Sequence, residues 1–329
     1  MSRLATAPGT GAAAAAEVGG AASAPSLASR IGRARADYLL LVPGLLVFGA
    51  FIGWPMVASQ YYSLLDWSGF DATRAFAGLD NYRELLRDPF FWDAFARSFA
   101  FMAITVPAQM AISLALAVVL NDRLLRLSTL YRTLIFLPVV TPVAVIGVVM
   151  VLMLSPFNGP INMALLDWGL TPRTIDFLGS PRLVLWTLAA IYVWKWVGVT
   201  MVYWLAALQT VPSELFEAAR MDGVRGWRVT AFVTLPIVFP FAVVIALISA
   251  IQALNVFPLV QSMTQGGPFF ASEVMEVYIF RTAFASAAGT VPRLGYASAA
   301  GVFFGLAVMV LAAGQILAAR HVRRARRTA

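Results

Sequence analysis

The chain has 329 residues, of which 60% are hydrophobic and 12% charged, and its formal net charge is +8. A soluble domain carries about 45–50% apolar and about 25% charged residues, so composition excludes water as the main solvent. With no cysteine and one histidine, disulfides, thiolate chemistry and a histidine-built metal or catalytic cluster are excluded as well.

Residues 1–36 are rich in Ala, Gly and Ser, with too little bulk to pack, and are expected to form a disordered tail. The run Ala12 to Ala16 is too short and too weakly apolar for the core of a secretion signal. Six runs of about 20 apolar residues follow, each long enough to cross a hydrocarbon core of about 30 Å as a helix. We place them at about 38–64, 95–120, 133–154, 183–208, 230–260 and 297–319. The fold class is therefore all-α membrane protein, with a membrane domain over 37–320 and a basic tail over 321–329.

Tyr61, Tyr62 and Trp67 close the first run as an aromatic belt. The segment from Asp66 to Asp93 is expected to hold a short interfacial helix broken at Asp88-Pro89, with acids that sit in water, lack a partnering cluster and serve structure, not catalysis. The second and third runs are joined by a basic loop, Asn121 to Arg132. Leu137-Pro138-Val139-Val140-Thr141-Pro142 opens the third run and is echoed by Leu235-Pro236-Ile237-Val238-Phe239-Pro240 in the fifth. If the echo is structural, those two spans occupy comparable positions. Pro and Gly crowd Ser155 to Pro181, which predicts an irregular outer connection.

The fourth run carries Lys195, the one charge well inside an apolar stretch. Such a residue faces protein or a water-filled cavity, since it costs about 2.5–3.5 kcal/mol at mid-bilayer. It either serves a functional site, or it snorkels or pairs structurally with a backbone carbonyl. Tyr192, Lys195, Trp196 and Val199 share one helix face. Aromatic rings beside a donor suit a sugar, the rings covering its C–H face and polar groups bonding its hydroxyls. In the fifth run Ser249, Gln252 and Asn255 form an uncharged hydrogen-bonding stripe, which is either a solute pathway or inter-helix bonding. Gly301 and Gly305, four apart in the sixth run, form a candidate small-residue packing face.

Between the fourth and fifth runs lies a polar interruption, Val211 to Val229. Ser213 can start a helix and Glu217 lies in its early turns. Gly223 stops it, because Gly reaches positive φ without steric cost. Arg and Lys gather beside this loop, beside Asn121 to Arg132 and at both ends of the chain. The positive-inside rule then puts the termini and residues 211–229 in the cytoplasm. That distribution favours anionic lipid headgroups over nucleic acid.

Glu217-Ala218-Ala219, two residues, Asp222-Gly223, and then Leu235-Pro236 resemble the EAA loop of type I ABC importer permeases in their carbohydrate-uptake branch. Three further pieces resemble the same family in the same order: Phe76-Ala77-Gly78-Leu79-Asp80-Asn81-Tyr82; Phe136-Leu137-Pro138; and Thr264-Gln265-Gly266-Gly267-Pro268 with Tyr278, Phe284 and Gly295-Tyr296-Ala297-Ser298-Ala299. Together they cover roughly residues 38–320, and Val224 stands where the family usually has Ala.

The resemblance implies a permease subunit in the bacterial cytoplasmic (inner) membrane, forming half of a pathway for a sugar, polyol or glycoside. It implies as partners a second permease subunit, two ABC ATPase subunits and an extracytoplasmic solute-binding protein. Leu215, Phe216, Glu217, Ala218, Ala219, Asp222 and Gly223 would then couple to the ATPase, with Leu215, Phe216 and Ala219 seated in its groove. The spans flanking the loop would wall the cavity. ATP and Mg are expected only in the partner ATPase, since no Gly-x-x-x-x-Gly-Lys-Ser/Thr cradle occurs here. No cofactor, metal site or catalytic residue is expected in this chain. The competing expectation, a secondary carrier, lacks the intramembrane Asp or Glu that ion coupling commonly uses.

Overall fold

Arg35 opens the described chain: the computed structural model describes residues 35–121, 125–224, 226–284 and 291–328. The expected tail up to residue 34 lies outside them, as do Asp122 to Leu124 of the basic loop and Arg225. Contacts divide the chain into residues 1–57 and 58–329. In the first unit, α1 (Arg35–Phe48) runs through a π-turn, Gly49–Gly53, into α2 (Trp54–Tyr62), which continues into the second.

The second unit begins with a two-stranded hairpin, β1 (Leu65–Asp66) and β2 (Ala75–Phe76), pairing Leu65 with Phe76 and Asp66 with Ala75. Helix α3 (Asp80–Leu85) follows. Asn81 is buried here and donates from Nδ2 to Ser63 O and Leu65 O, both at 2.9 Å, while Tyr82 Oη and Ser63 Oγ are 2.7 Å apart. The Asn-Tyr pair of the first motif is thus the clamp that fastens α3 to the end of α2. The expected interfacial helix is in fact this hairpin plus one short helix.

The next span, α4 (Pro89–Leu120), starts earlier than its apolar run. Asp88 caps it by accepting from Phe90 N at 2.8 Å, and Pro89 occupies the first turn, where no donor is missed. Its buried face includes Phe91, Ala94, Ser98, Phe101, Thr105, Gln109, Ser113 and Ala117, three or four residues apart. The polar side chains in the middle of the span therefore point into the protein, among apolar ones, and leave the outward face apolar, as a lipid solvent selects.

The expected third span is broken. Helix α5 (Ser128–Val140) and α6 (Val143–Met153) meet at 96° across Thr141-Pro142. Proline disfavours helix in the residue before it and cannot donate to the carbonyl four back. Five described helical stretches are long and apolar enough to cross a membrane, six if this bent pair is one span. The loop beyond α6 holds α7 (Pro160–Asp167) and is organised by buried Asn162, which donates to Leu154 O, Ser155 O and Ile175 O and accepts from Ile175 N at 2.8 Å.

Helix α8 (Val184–Leu208) is the central span, packing against both α4 and α5. At Gly198 it comes so close to α5 that a Cβ there would lie 2.6 Å from Ile135 O. Then come α9 (Ser213–Met221), the turn α10 (Trp227–Val229), a π-turn over Thr230–Thr234 and α11 (Leu235–Leu254). Both π-turns end one residue before an X-Pro step. Trp54 N bonds Gly49 O and Leu235 N bonds Thr230 O, each five residues back, just before Pro55 and Pro236. The wider turn lets the ladder absorb a residue that lacks an N–H.

The echoed segments differ in conformation: Pro142 ends a helix, whereas Pro240 lies inside one. Helix α12 (Phe257–Met263) extends α11, α13 (Met275–Phe284) follows a turn, and α14 (Leu294–Thr328) is the last span. The expected basic tail is helical and continuous with it. Gly305 has open space where its Cβ would be and Gly301 only a contact at 3.9 Å, so they are not a tight seam. The close approach is at Gly295, where a Cβ would collide with Leu65 O.

Candidate functional site: a polar layer and an exposed helix between spans

Two apolar clusters fill the bundle of α4, α8 and α11. One holds Phe101, Tyr192 and Ala253; the other Ala117, Met201 and Ile245. On each helix the residues between the clusters include buried polar ones: Thr105 and Gln109, Lys195 and Thr200, and Ser249. Gln109 Nε2 donates to Thr200 Oγ1 at 2.6 Å and to Trp196 O at 3.3 Å. Gln109 Oε1, Tyr192 Oη and Ser249 Oγ are buried without a hydrogen-bond partner. An orphaned buried group costs about 1–3 kcal/mol, so three in one region call for a function.

Lys195, 1% exposed, donates from Nζ to Pro138 O at 3.0 Å, Val139 O at 3.4 Å and Thr141 O at 2.8 Å, with Nζ 4.7 Å from the centre of the Trp196 ring. An ammonium has three protons, and here three carbonyls face it. Those carbonyls sit where the proline break leaves the last turn of α5 short of donors. In this conformation Lys195 caps a broken helix and has no donor left for a solute. Of the two readings of its charge, the geometry is that of the carbonyl pairing.

Among the other expected pathway residues, Tyr192 is buried with its ring edge on Phe101 at 5.3 Å. Trp196, Val199 and Gln252 are half-buried, Ser249 is buried, and Asn255 is exposed, donating to Ile251 O at 2.7 Å. The face drawn from spacing of three thus runs from the sealed layer at Ser249 to the surface at Asn255. Gln109 was missed because one amide in an apolar run looks incidental. The available signal was Ser98, Thr105, Gln109 and Ser113 at helical spacing.

Helix α9 hangs between α8 and α11. Phe216 packs on the chain's own lower cluster and Ala219 is 6% exposed, so these two face inward. Leu215, Glu217 and Ala218 are open, as are Met221, Asp222 and Gly223. The helix ends as the sequence predicts: Gly223 has φ +77°, and Val224 N bonds Ala219 O at 2.9 Å across it. This is the Schellman arrangement, which satisfies a terminal carbonyl and turns the chain back.

At the opposite end of the bundle the acids do have partners, contrary to expectation. Asp88 Oδ2 accepts from Tyr278 Oη at 2.5 Å and Tyr296 Oη at 2.9 Å, and Glu84 takes both terminal nitrogens of Arg293 at 2.6 Å. Burial pushes the Asp88 carboxyl up, but the phenols and the Phe90 N–H outweigh it and hold the group below its ordinary value. Hydrogen bonding to Arg293 lowers Glu84 in the same direction. Tyr278 and Tyr296 of the last motif therefore meet Asp88, and Arg293 meets Glu84, in one latch joining α3, the start of α4, α13 and α14.

Membrane spans with a sealed polar layer, and an exposed amphipathic helix hung between two of them, define a multi-pass transport component. The family model described as "binding-protein-dependent transport system inner membrane component" matches residues 109–327. A probable ABC transporter permease protein, YurN of Bacillus subtilis (strain 168), is 34% identical over 263 residues, 80% of this chain and 88% of that protein. The lactose transport system permease protein LacF of Rhizobium radiobacter is 32% identical over 286 residues, 86% and 94% of the two chains. A chain of a bacterial alginate ABC transporter, solved in complex with an alginate pentasaccharide-bound periplasmic protein, superposes with a TM-score of 0.76 at 22% identity, covering 90% of this chain and 98% of that one. The chain belongs to the binding-protein-dependent transport system inner membrane component family. It is a permease subunit of an ABC importer, a transport component and not an enzyme.

Proposed function

We propose that this permease carries a sugar or sugar-like solute, with its termini and α9 on the cytoplasmic side of a bacterial inner membrane. Of two ATPase subunits one holds α9, a second permease completes the pathway, and a solute-binding protein delivers cargo at the latch end. ATP and Mg act on the ATPase subunits. The observation that carries this reading is the disposition of α9: Phe216 and Ala219 anchor it to the bundle while Leu215, Glu217, Ala218 and Met221 stand open. A helix rooted on one side and free on the other is a lever, and a helix-in-groove contact is one way a partner takes hold of one. Movement of α9 reaches α8 and α11 directly, and with them the polar layer.

The relatives support a carbohydrate, since LacF is named for lactose and the alginate transporter for a polysaccharide. Solute contact falls to Gln252 and Asn255 in this conformation, with Tyr192, Trp196, Val199 and Ser249 reached as the layer opens. Proteoliposomes containing the full transporter, given a panel of labelled sugars and the binding protein, test this. Vanadate-sensitive, ATP-dependent uptake of a carbohydrate is expected. Uptake by this chain with no ATPase beside it would refute the proposal.

A further inference from the structure

Away from the polar layer, the first half of α8 walls a cavity of about 500 Å³ whose lining includes Met150 of α6, Leu154 just beyond it, Phe177, and Trp186, Ala190 and Trp194 of α8. Its one hydroxyl, on Thr187, is already committed to Phe177 O at 3.2 Å and Leu183 O at 3.0 Å. Apart from the indole N–H groups of Trp186 and Trp194 the lining is apolar, which suits a hydrocarbon chain better than a sugar with its many hydroxyls.

The cavity's dimensions point to a different occupant. From Leu183 to Trp194 a helix rises about 16 Å, at about 1.5 Å per residue, which is half of a hydrocarbon core of about 30 Å. The cavity is thus about as long as one leaflet is deep. Trp186, 60% exposed, stands at the interfacial end, where an indole places its ring in the apolar zone and its N–H toward ester oxygens. Arg182 precedes the lining residue Leu183, is exposed, and enters no ion pair among the described residues. An exposed guanidinium one residue before the lining of an apolar slot about one leaflet long matches a phosphate that carries an acyl chain.

We propose that this cavity is a binding site for one anionic phospholipid of the leaflet at the N-terminal end of α8. An acyl chain lies between α6 and α8, and the phosphate lies at Arg182. The lipid fills a void beside the broken span and splints α6 to α8. A helix of a partner chain is the competing occupant, but such a ridge would run the full span instead of half of it.

The test uses the chain purified from its native membrane, with whatever subunits accompany it, in vesicles of phosphatidylglycerol bearing a diazirine near the acyl terminus. Photolysis should label the peptides holding Met150 and Trp194, and Ala190→Trp, which fills the cavity at an exposed position, should abolish that label. Arg182→Gln should reduce the preference for phosphatidylglycerol over phosphatidylcholine at this site about fivefold, the factor set by one basic residue near a charged headgroup. Equal labelling in Ala190→Trp would overturn the acyl site, and an unchanged headgroup preference in Arg182→Gln would overturn the phosphate contact. Ala190→Cys cross-linking to another chain while lipid label is absent would show the face to be a protein interface and sink the proposal.

Discussion

Lys195 shows what a single residue can and cannot reveal. Its isolation in an apolar run announced a buried charge, but the carbonyls that receive it lie 54 to 57 positions earlier, on a helix end that exists only because Pro142 breaks the span. No local pattern could have paired them. Replacement by Met keeps the volume and strands those carbonyls, each at a cost of about 1–3 kcal/mol. Lys195→Met should therefore lower the unfolding midpoint of the purified protein in detergent, and an unchanged midpoint with altered sugar preference would return Lys195 to the solute path. The latch acids make a second prediction at this scale. Folding lowers the pKa of Asp88 and Glu84, so their contribution is complete above the ordinary carboxylate range and is lost as pH falls through the lowered values. The midpoint should stay level from neutral pH to about 5 and fall below about 4, with a shallower fall in Asp88→Asn. A fall of equal steepness in the variant would remove Asp88 from the account.

At the scale of elements, the spans were legible because lipid demands about 20 apolar residues per crossing, and composition reports that directly. The broken third span was not, since its two halves read as one apolar run and the Lys195 ammonium that receives the freed carbonyls lies more than fifty residues away. The latch was equally hidden: its members are separated by up to 209 positions, and acids in a polar loop look solvated. Helix α9 was the most legible element, since its start, its length and its glycine stop all follow from local chemistry. Which face it turns outward was not, because Phe216 and Ala219 find their partners in the bundle. Gly223 gives a clean test. A Cβ there meets nothing within 4 Å, so Gly223→Val strains the backbone at φ +77° without a collision. The left-handed conformation costs a β-branched residue roughly 1–2 kcal/mol, confined to this turn. The variant should reach the membrane and assemble, yet show ATP turnover no longer matched by uptake. Gly198→Ala should behave in the opposite way, because its Cβ would collide with Ile135 O and prise α8 from α5. A loss of folded protein by about 1–3 kcal/mol is expected there, read as a lower midpoint whether or not ATP is present.

For the molecule as a whole, the question is why a bundle in lipid keeps polar groups that nothing satisfies. Gln109 does structural work, tying α4 to α8 through Thr200. Ser249 does none in this conformation, since its hydroxyl is 1% exposed and has no partner. A group that costs stability in one state is retained where another state uses it, and a transporter has at least two. Swinging α9 would carry α8 and α11 with it, and the layer between the two apolar clusters is where such a shift changes partners. Ser249→Ala separates a stabilising role from a transporting one. Removing an unsatisfied hydroxyl should leave the unfolding midpoint unchanged or slightly raised, by up to about 1 kcal/mol. Uptake in proteoliposomes should nonetheless fall several-fold, while the affinity of the complex for its solute-loaded binding protein stays the same. A drop in midpoint would mean that Ser249 has a structural partner after all. Full uptake with an unchanged midpoint would mean that the layer opens without it, and the gating role would pass to Gln252 at the half-buried edge of the same stripe.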